Sequence, residues 1–400
     1  MNSAISRSQV LVIGASLAGS SLALRLAKNG ITVTVIDKGN FPRRKACGEG
    51  VSSLGITLLK ELGITPGSAA VPANPLDGYV LWQNGRQVEV PFTAEQDQDQ
   101  QGFGIPRLVL DKALLDSAAA AGAQIQLRSA VREVLRTSQG EWQVHTDTGT
   151  VCAPLLVLAD GANSFIAESL GIHSTAAKNP RFGFSMVLKS QTPQDIRRVH
   201  ILVHDNFELA CTPVSPYLMN TTIMAPRSHL AEQIEPPQLK KLIEAVQSAT
   251  GFSGELCTGD KAPLGIGPLN RSRRGGYHNG IFLVGDACET LDPIGGMGMT
   301  HALLSSKLAA QALEQHLHAQ TPLDEVGYDY ENQREMQMRA LRGFTRLTYF
   351  YVRKISQTSL FPLLGSLPLV KEVSRAAHRN FSHSALGVCA HALLNIVGYL

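Results

Sequence analysis

The sequence predicts an α/β fold in which a parallel-sheet domain is interleaved with an antiparallel β-sheet and followed by a helical C-terminal region. Three observations predict it. A strand–helix–strand unit of about 30 residues opens the chain, the size of one βαβ. Short apolar runs of the same strand type return far downstream, at Leu155–Ala159 and Ile281–Val284. The stretches between them carry alternating patterns that suit an antiparallel sheet.

Each element follows from a local pattern. Gln9–Gly14 (QVLVIG) is an apolar run ending in glycine, which reads as a buried parallel strand. Ser20–Asn29 has helical spacing, with Gly30 as its stop. Ile31–Asp37 is β-branched and strand-like. A second helix and strand are expected at Val109–Ala121 and Ala123–Leu127, and a later helix at Thr300–His318. Alternation over Tyr79–Pro91, Phe182–Lys189 and His200–Ala225 supplies the antiparallel sheet, and Glu95–Gln101 (EQDQDQQ) is a solvated loop. From about Tyr328 the chain is helical and arginine-rich, with Pro362 and Pro368 as breaks. Residues 1–75, 103–180 and 275–327 thus form the parallel-sheet domain. Residues 76–102 and 181–274 form a second, substrate-binding domain, and 328–400 the helical region.

Composition narrows the function classes. A net charge of +3 over 400 residues, without lysine/arginine runs, excludes nucleic acid as a partner. The six cysteines are scattered without metal-ligand or disulfide spacing, so no metal site is expected and a reducing, cytoplasmic setting is. The polar N-terminus does not read as a signal peptide. No apolar stretch reaches the roughly 18 residues of a membrane span, the tail from Ala385 being interrupted by His391 and Asn395.

The motifs point to a dinucleotide. Gly14-Ala15-Ser16-Leu17-Ala18-Gly19 lies between strand and helix. In a GxGxxG loop the first glycine permits the turn, the second lets backbone approach a pyrophosphate, and the third allows close helix packing. Here Ser16 stands in the second place. Asp37, ending the next strand, is positioned to accept from ribose hydroxyls. In Phe41–Gly50 (FPRRKACGEG) two glycines flank an acid, and Arg43 and Arg44 suit a phosphate or adenosine. Arg107 opens a helix within GIPRLVLD. Asp160 and Gly161 form a turn at the carboxyl end of a parallel strand, where α/β proteins bind ligands. Asp286 ends another such strand, and Asp292–Met299 (DPIGGMGM) opens a helix whose N–H groups and dipole favour an electron-rich edge.

GASLAG, FPRRKACGEG, IPR-x-x-LD, ADGANS and VGDA…DPIGGMGM, in this order over residues 8–310, together resemble the flavoprotein monooxygenase superfamily. That superfamily includes p-hydroxybenzoate hydroxylase-like enzymes, geranylgeranyl reductases and flavin-dependent halogenases. The resemblance implies a Rossmann-type FAD-binding domain of the p-hydroxybenzoate hydroxylase kind, with NADH or NADPH as reductant. It implies that Gly14, Ser16 and Gly19 hold the FAD pyrophosphate and Asp37 the adenosine ribose. Arg43 or Arg44, with Arg107, would contact the adenosine and phosphate portion. Asp286 would bind the ribityl chain or pyrophosphate. Gly296, Met297, Gly298 and Met299 would present backbone N–H groups to the isoalloxazine edge. Asp160 and Gly161 would lie beside the flavin. The pattern departs from the family in three places: Ala167 replaces the arginine of its serine-x-x-arginine, GDAC lacks the following histidine, and the halogenase tryptophan signature is missing.

The resemblance leaves three reactions open: hydroxylation by an NAD(P)H-dependent monooxygenase, C=C reduction or dehydrogenation, and halogenation. A non-catalytic flavin-binding role stands beside them. Cys47, between Lys45 and Glu49, is the candidate catalytic side chain, with core packing as its alternative. The substrate expected is a hydrophobic small molecule, because Phe182, Phe184, Met186, Leu202, Val203 and Leu209 dominate the alternating strands. Arg334, Arg339, Arg342, Arg346 and Arg353 read either as a helical cap with a solvated face or as a surface for a membrane or carrier.

Overall fold

A computed structural model describes residues 5–92, 101–175, 180–259, 262–269, 274–355 and 373. The expected polar loop at residues 95–100, the proline breaks and the apolar tail lie outside the described residues. The helices are α1 (Leu17–Lys28), α2 (Ser53–Glu61), α3 (Arg107–Ala120), α4 (Phe165–Ser169), α5 (Arg227–Gln233), α6 (Pro236–Thr250), α7 (Gly298–Ala319) and α8 (Leu323–Phe350).

The strand Val10–Ile13 is buried on both faces and lies inside a six-stranded sheet. The order is Tyr277–His278, Ile281–Leu283, Leu155–Leu158, Val10–Ile13, Val33–Ile36, Gln124–Gln126, parallel except for the first pair. Successive side chains on a strand point to opposite faces. Val10, Val12, Val33, Val35, Leu155 and Val157 therefore pack toward α1, α3 and α7. Leu11, Ile13, Leu156 and Leu158 pack the other way, onto Val131, Trp142, Val144 and Val151. These four belong to a second sheet (Ile5–Arg7, Gly149–Ala153, Trp142–Thr146, Val131–Arg136) that covers the far face. Its outer strand Val131–Arg136 (VREVLR) is largely solvent-exposed and charged, which is why no apolar pattern marks it in the sequence.

The insertion forms a third sheet of order Glu255–Leu256, Arg181–Lys189, Leu218–Pro226, Glu208–Ser215, Arg198–Val203, Gly78–Gln83, Arg86–Pro91, with Leu264–Leu269 also on Arg181–Lys189. Every pair is antiparallel except Arg198–Val203 with Gly78–Gln83. Those two strands are separated in sequence by the middle of the parallel-sheet domain, a crossover long enough for parallel pairing.

The faces of this sheet correct one expectation. Met186, Leu202 and Leu209, with Phe184 at the margin, pack against Leu242 and Val246 of α6. They are core on the outer side, not lining toward the cofactor domain. The inner face carries Leu81, Val199, Ile201 and Val203, which meet Ile294 and Val352. Beside them stand the polar residues Ser185, Asn220 and Thr222, turned to the loop at Cys47.

The arginines of α8 correct another. Arg334 is 0% exposed and Arg342 7%. Arg334 Nη1 lies 2.8 Å from Glu289 Oε2 and Arg342 Nε 2.7 Å from Glu289 Oε1. Arg334 also holds Glu331 and Glu335, and Arg353 pairs with Glu208 at 2.7 Å. Three arginines expected on a solvated or membrane-facing surface are therefore spent on internal ion pairs, because α8 packs on α7 and on the turn ending at Glu289. Burial alone would raise the Glu289 carboxyl, and Arg342, with His301 and Arg334, outweighs this and holds it below the usual range.

Removing one partner from a buried ion pair strands the other, at about 3–5 kcal/mol. Glu289→Ala should lower stability by about that amount in chemical denaturation. Lys112→Ala, at the exposed Lys112–Asp116 pair, should change it by no more than about 0.5 kcal/mol.

Candidate functional site

The carboxyl ends of the parallel strands carry the motif residues. Gly14 has φ +109°, and a Cβ there would stand 2.4 Å from the Ala159 carbonyl oxygen. A Cβ on Gly19 would stand 1.8 Å from the Gly14 carbonyl oxygen, so the third glycine lets α1 close onto its own loop. Ser16 occupies the N-cap of α1 but its hydroxyl makes no cap bond. It donates instead to Asp111 Oδ2 at 2.6 Å and accepts from Arg107 Nη2 at 2.8 Å. The first turn of α1 contains no acid. A helix start whose N–H groups lack a side-chain cap, and whose nearby carboxylates Asp37 and Asp111 are each paired with an arginine, can receive a phosphate.

Asp37 is buried, and its carboxylate accepts from Ala15 N at 2.8 Å and Gly39 N at 2.7 Å. Arg43 forks onto both Asp37 oxygens, at 2.6 and 3.0 Å, with its guanidinium 4.5 Å above the Phe41 ring. Arg44 does not join it and donates to the Ala262 carbonyl. Arg107 is buried with Asp111, Nε to Oδ1 and Nη2 to Oδ2 both at 2.8 Å. Burial opposes its charge, and Asp111 with the neighbouring Cys47 more than offsets this, so its guanidinium is held above its ordinary range.

The Cys47 carbonyl accepts from Asn220 Nδ2 at 2.6 Å, and from Ser185 Oγ and Thr222 Oγ1 at 3.4 Å each. The insertion sheet thus grips this loop by its backbone and leaves the thiol facing Arg107 and the Glu49 N–H, 3.4 Å from Sγ. Lys45 reaches within 3.9 Å of Asp286, bringing the loop against the turn Gly285–Ala287.

Asp160 and Gly161 form the turn after Leu155–Leu158, with Gly161 at φ +96° and Ser164 capping α4 by accepting from Ala167 N. Asp160 Oδ1 is buried without a hydrogen-bond partner, and burial raises this carboxyl. Gly296 has φ +65°, a Cβ on it would lie 3.1 Å from the Tyr79 hydroxyl, and Gly298 faces open space. Met297 and Met299 are buried, so these two present only backbone to a ligand. The start of α7, like that of α1, has neither a side-chain cap nor an acid in its first turn. Two uncapped helix starts, glycine cradles between them and an orphaned carboxylate oxygen are features that a dinucleotide flavin fits.

Sequence reasoning passed over Glu49, Asn220 and Arg274. Asn220 lies mid-strand with nothing to mark it. Glu49 stood inside a quoted motif, and its signature is conformational: φ is +58°, a region that glutamate seldom adopts. The residue is half-buried, but its carboxylate turns inward and Oε1 accepts from Arg107 N at 2.8 Å. Burial pushes this carboxyl up to about 7. A folded-state value above the unfolded one favours the native state at low pH, and that advantage is lost as pH rises through the folded value. Wild type should therefore lose stability relative to Glu49→Gln between about pH 5 and 8. Melting temperatures across that range check this, and a constant difference would contradict it.

Comparison with known proteins agrees with this geometry. A family described as the FAD binding domain matches residues 7–341. The chain is 27% identical over 331 residues to menaquinone reductase of Mycolicibacterium smegmatis, covering 77% of this chain and 76% of that one. It is 27% identical over 335 residues to squalene monooxygenase of Rattus norvegicus, where it spans 78% of this chain and only 56% of the relative. The solved structure of the flavin-dependent brominase Bmp2 superposes with a TM-score of 0.76 over 98% of each chain at 18% identity, a likeness of fold. Among the described residues no helix is long and apolar enough to cross a membrane, and no cluster could hold a metal ion. The chain belongs to the FAD binding domain family and is an FAD-dependent oxidoreductase.

Proposed function

We propose that this protein is an NAD(P)H-dependent monooxygenase that oxygenates an apolar small molecule between the start of α7 and the inner face of the insertion sheet. One observation carries the reading. Opposite the Gly296 loop that face is apolar, formed by Leu81, Val199, Ile201 and Val203 with Tyr79, and its charged neighbours are already paired. Arg181 bonds Asp292 at 3.0 Å and also holds Glu208, which Arg353 meets from the far side. The charges of this cluster are matched within it, and the apolar face, which packs on Ile294 and Val352, offers an apolar substrate a dry margin.

Bound FAD supplies two-electron chemistry and, for hydroxylation, the activation of oxygen. The chain supplies placement. The α1 start and the Gly14–Gly19 loop would hold the pyrophosphate, with Asp286 on the ribityl chain. The backbone from Gly296 to Met299 would face the isoalloxazine edge, where N–H groups at a helix start stabilise negative charge. Asp37, whose acceptor positions are filled by Ala15 N, Gly39 N and Arg43, would accept from the adenosine ribose in exchange for an Arg43 bond. Asp160, through its unpaired Oδ1, would take a hydrogen bond beside the flavin.

A second reading, reduction of a carbon–carbon double bond, is favoured by Cys47. Its thiol lies beside the Arg107 guanidinium, and its loop is fixed by Asn220. The similarity to menaquinone reductase supports this reading, as that to squalene monooxygenase supports the first.

Gly14→Val should abolish FAD retention, and Asp286→Ala should weaken it by about tenfold or more. Both purifying folded with full FAD would sink the cofactor placement. FAD-loaded protein, given NADH or NADPH and apolar aromatic or polyene substrates, should consume oxygen in step with the nicotinamide. The product should be one oxygen atom heavier. Nicotinamide consumption without oxygen uptake, yielding a product with two more hydrogens, would establish the reductase instead. In that case Cys47→Ala should slow substrate reduction and spare flavin reduction, whereas in a monooxygenase the same change should cost little.

A further inference from the structure

Arg274 lies just before the strand Tyr277–His278 and belongs to none of the motifs above. Its side chain is 3% exposed. Nη1 donates to the Ala162 carbonyl at 2.9 Å and reaches the Ala287 carbonyl at 3.4 Å. Nη2 donates to Glu168 Oε1 at 3.0 Å, and the backbone N–H donates to the Cys288 carbonyl at 2.8 Å. His278 Nε2 contacts the Arg274 carbonyl at 2.5 Å, which fixes the residue from behind.

Ala162 and Ala287 belong to different turns. One follows Leu155–Leu158 and carries Asp160; the other follows Ile281–Leu283 and carries Asp286. These strands are parallel neighbours, with Leu158 opposite Leu283, so their carboxyl ends lie side by side. Among the described residues the backbone ladder between them ends with Val284 N–H donating to the Leu158 carbonyl, and Arg274 links the turns beyond it. The arginine expected three residues after Ser164 is absent, and Ala167 at that position is completely buried, with no space for a long side chain. Arg274 enters the same turn from a distant part of the chain.

We propose that Arg274 is a positioning residue for the flavin: it fastens the Asp160 turn to the Asp286 turn and so fixes the spacing of the two carboxylates along the cofactor. Its planar fork suits this task, since one guanidinium can serve carbonyls on two segments at once and a lysine ammonium can do so only in part. The Nε–H of Arg274 and Oδ1 of Asp160 are both buried without partners, so this turn retains polar capacity that the protein itself does not use. Arg274 also places a positive charge near Asp160, countering the burial that raises this carboxyl; Lys38 acts in the same sense.

The proposal rests on FAD lying along this rim, and the test separates the two. FAD dissociation constants are measured by flavin fluorescence on Arg274→Met, Arg274→Lys, Asp160→Asn and Asp286→Ala, with melting of the FAD-free proteins as a check on folding. Arg274→Met should weaken FAD binding by about tenfold to a hundredfold. Arg274→Lys, keeping the charge and part of the hydrogen bonding, should recover a clear share of that loss. A packing role alone would leave Met equal to or better than Lys. Tight binding by Arg274→Met, or equal weakness of Met and Lys, overturns the proposal while losses in Asp160→Asn and Asp286→Ala keep the rim as the flavin site. Wild-type affinity in both aspartate variants overturns the rim itself. Should Arg274→Met not fold, Glu168→Gln, which loosens only the exposed side of the fork, is read instead. Faster FAD release from it supports the proposal, and unchanged release overturns it.

Discussion

Arg107 stands where three segments meet. Its guanidinium binds Asp111 on its own helix and Ser16 at the start of α1, and its backbone N–H donates to Glu49 on the loop that also carries Cys47. A buried guanidinium is tolerable only when its donors are satisfied, so each of these partners is held in place by the need of the others. Ser16 shows the effect most directly. A serine at that position would ordinarily cap the helix through its own hydroxyl. Because its hydroxyl is drawn toward Arg107 and Asp111, the N-terminus of α1 stays open. The side chain that departs from the glycine pattern therefore preserves what the glycine pattern is for.

The same logic organises the insertion sheet. Three of its polar side chains converge on the single carbonyl of Cys47, which ties that sheet to the loop that also carries Lys45 and Glu49. Along the strands the alternation then separates the work: large apolar residues turn outward under α6, and the inner face divides into a polar patch that grips the loop and an apolar patch beside Ile294.

Much of this was legible in the residues and some was not, for reasons that can be named. The parallel strands were readable because residues such as Val10 to Ile13 are buried on both faces and leave an uninterrupted apolar run. Val131–Arg136 was not, since one face is solvent and its charges mask the alternation. Glycines at positive φ, Gly14 and Gly296, announced themselves through the motifs they punctuate. The direction of a side chain is invisible to such patterns: Arg43 turns to Asp37 and Arg44 to Ala262, although they are adjacent. Long-range pairs are equally hidden. Nothing near Glu289 announces that Arg334 and Arg342 will neutralise it, and their spacing on α8 reads as well as a solvated face.

That last pairing has a consequence for how the chain is made. Glu289 lies between the Gly285–Ala287 turn and the start of α7, yet its counter-charges come from residues 334 and 342. During synthesis, everything up to α7 can emerge with the Gly285–Ala287 turn present and the Glu289 carboxylate still without these two partners. Contacts that join distant parts of a chain form late and slowly. A lone carboxylate is costly to bury, so the surroundings of Glu289 can close only once residues 334 and 342 are in place.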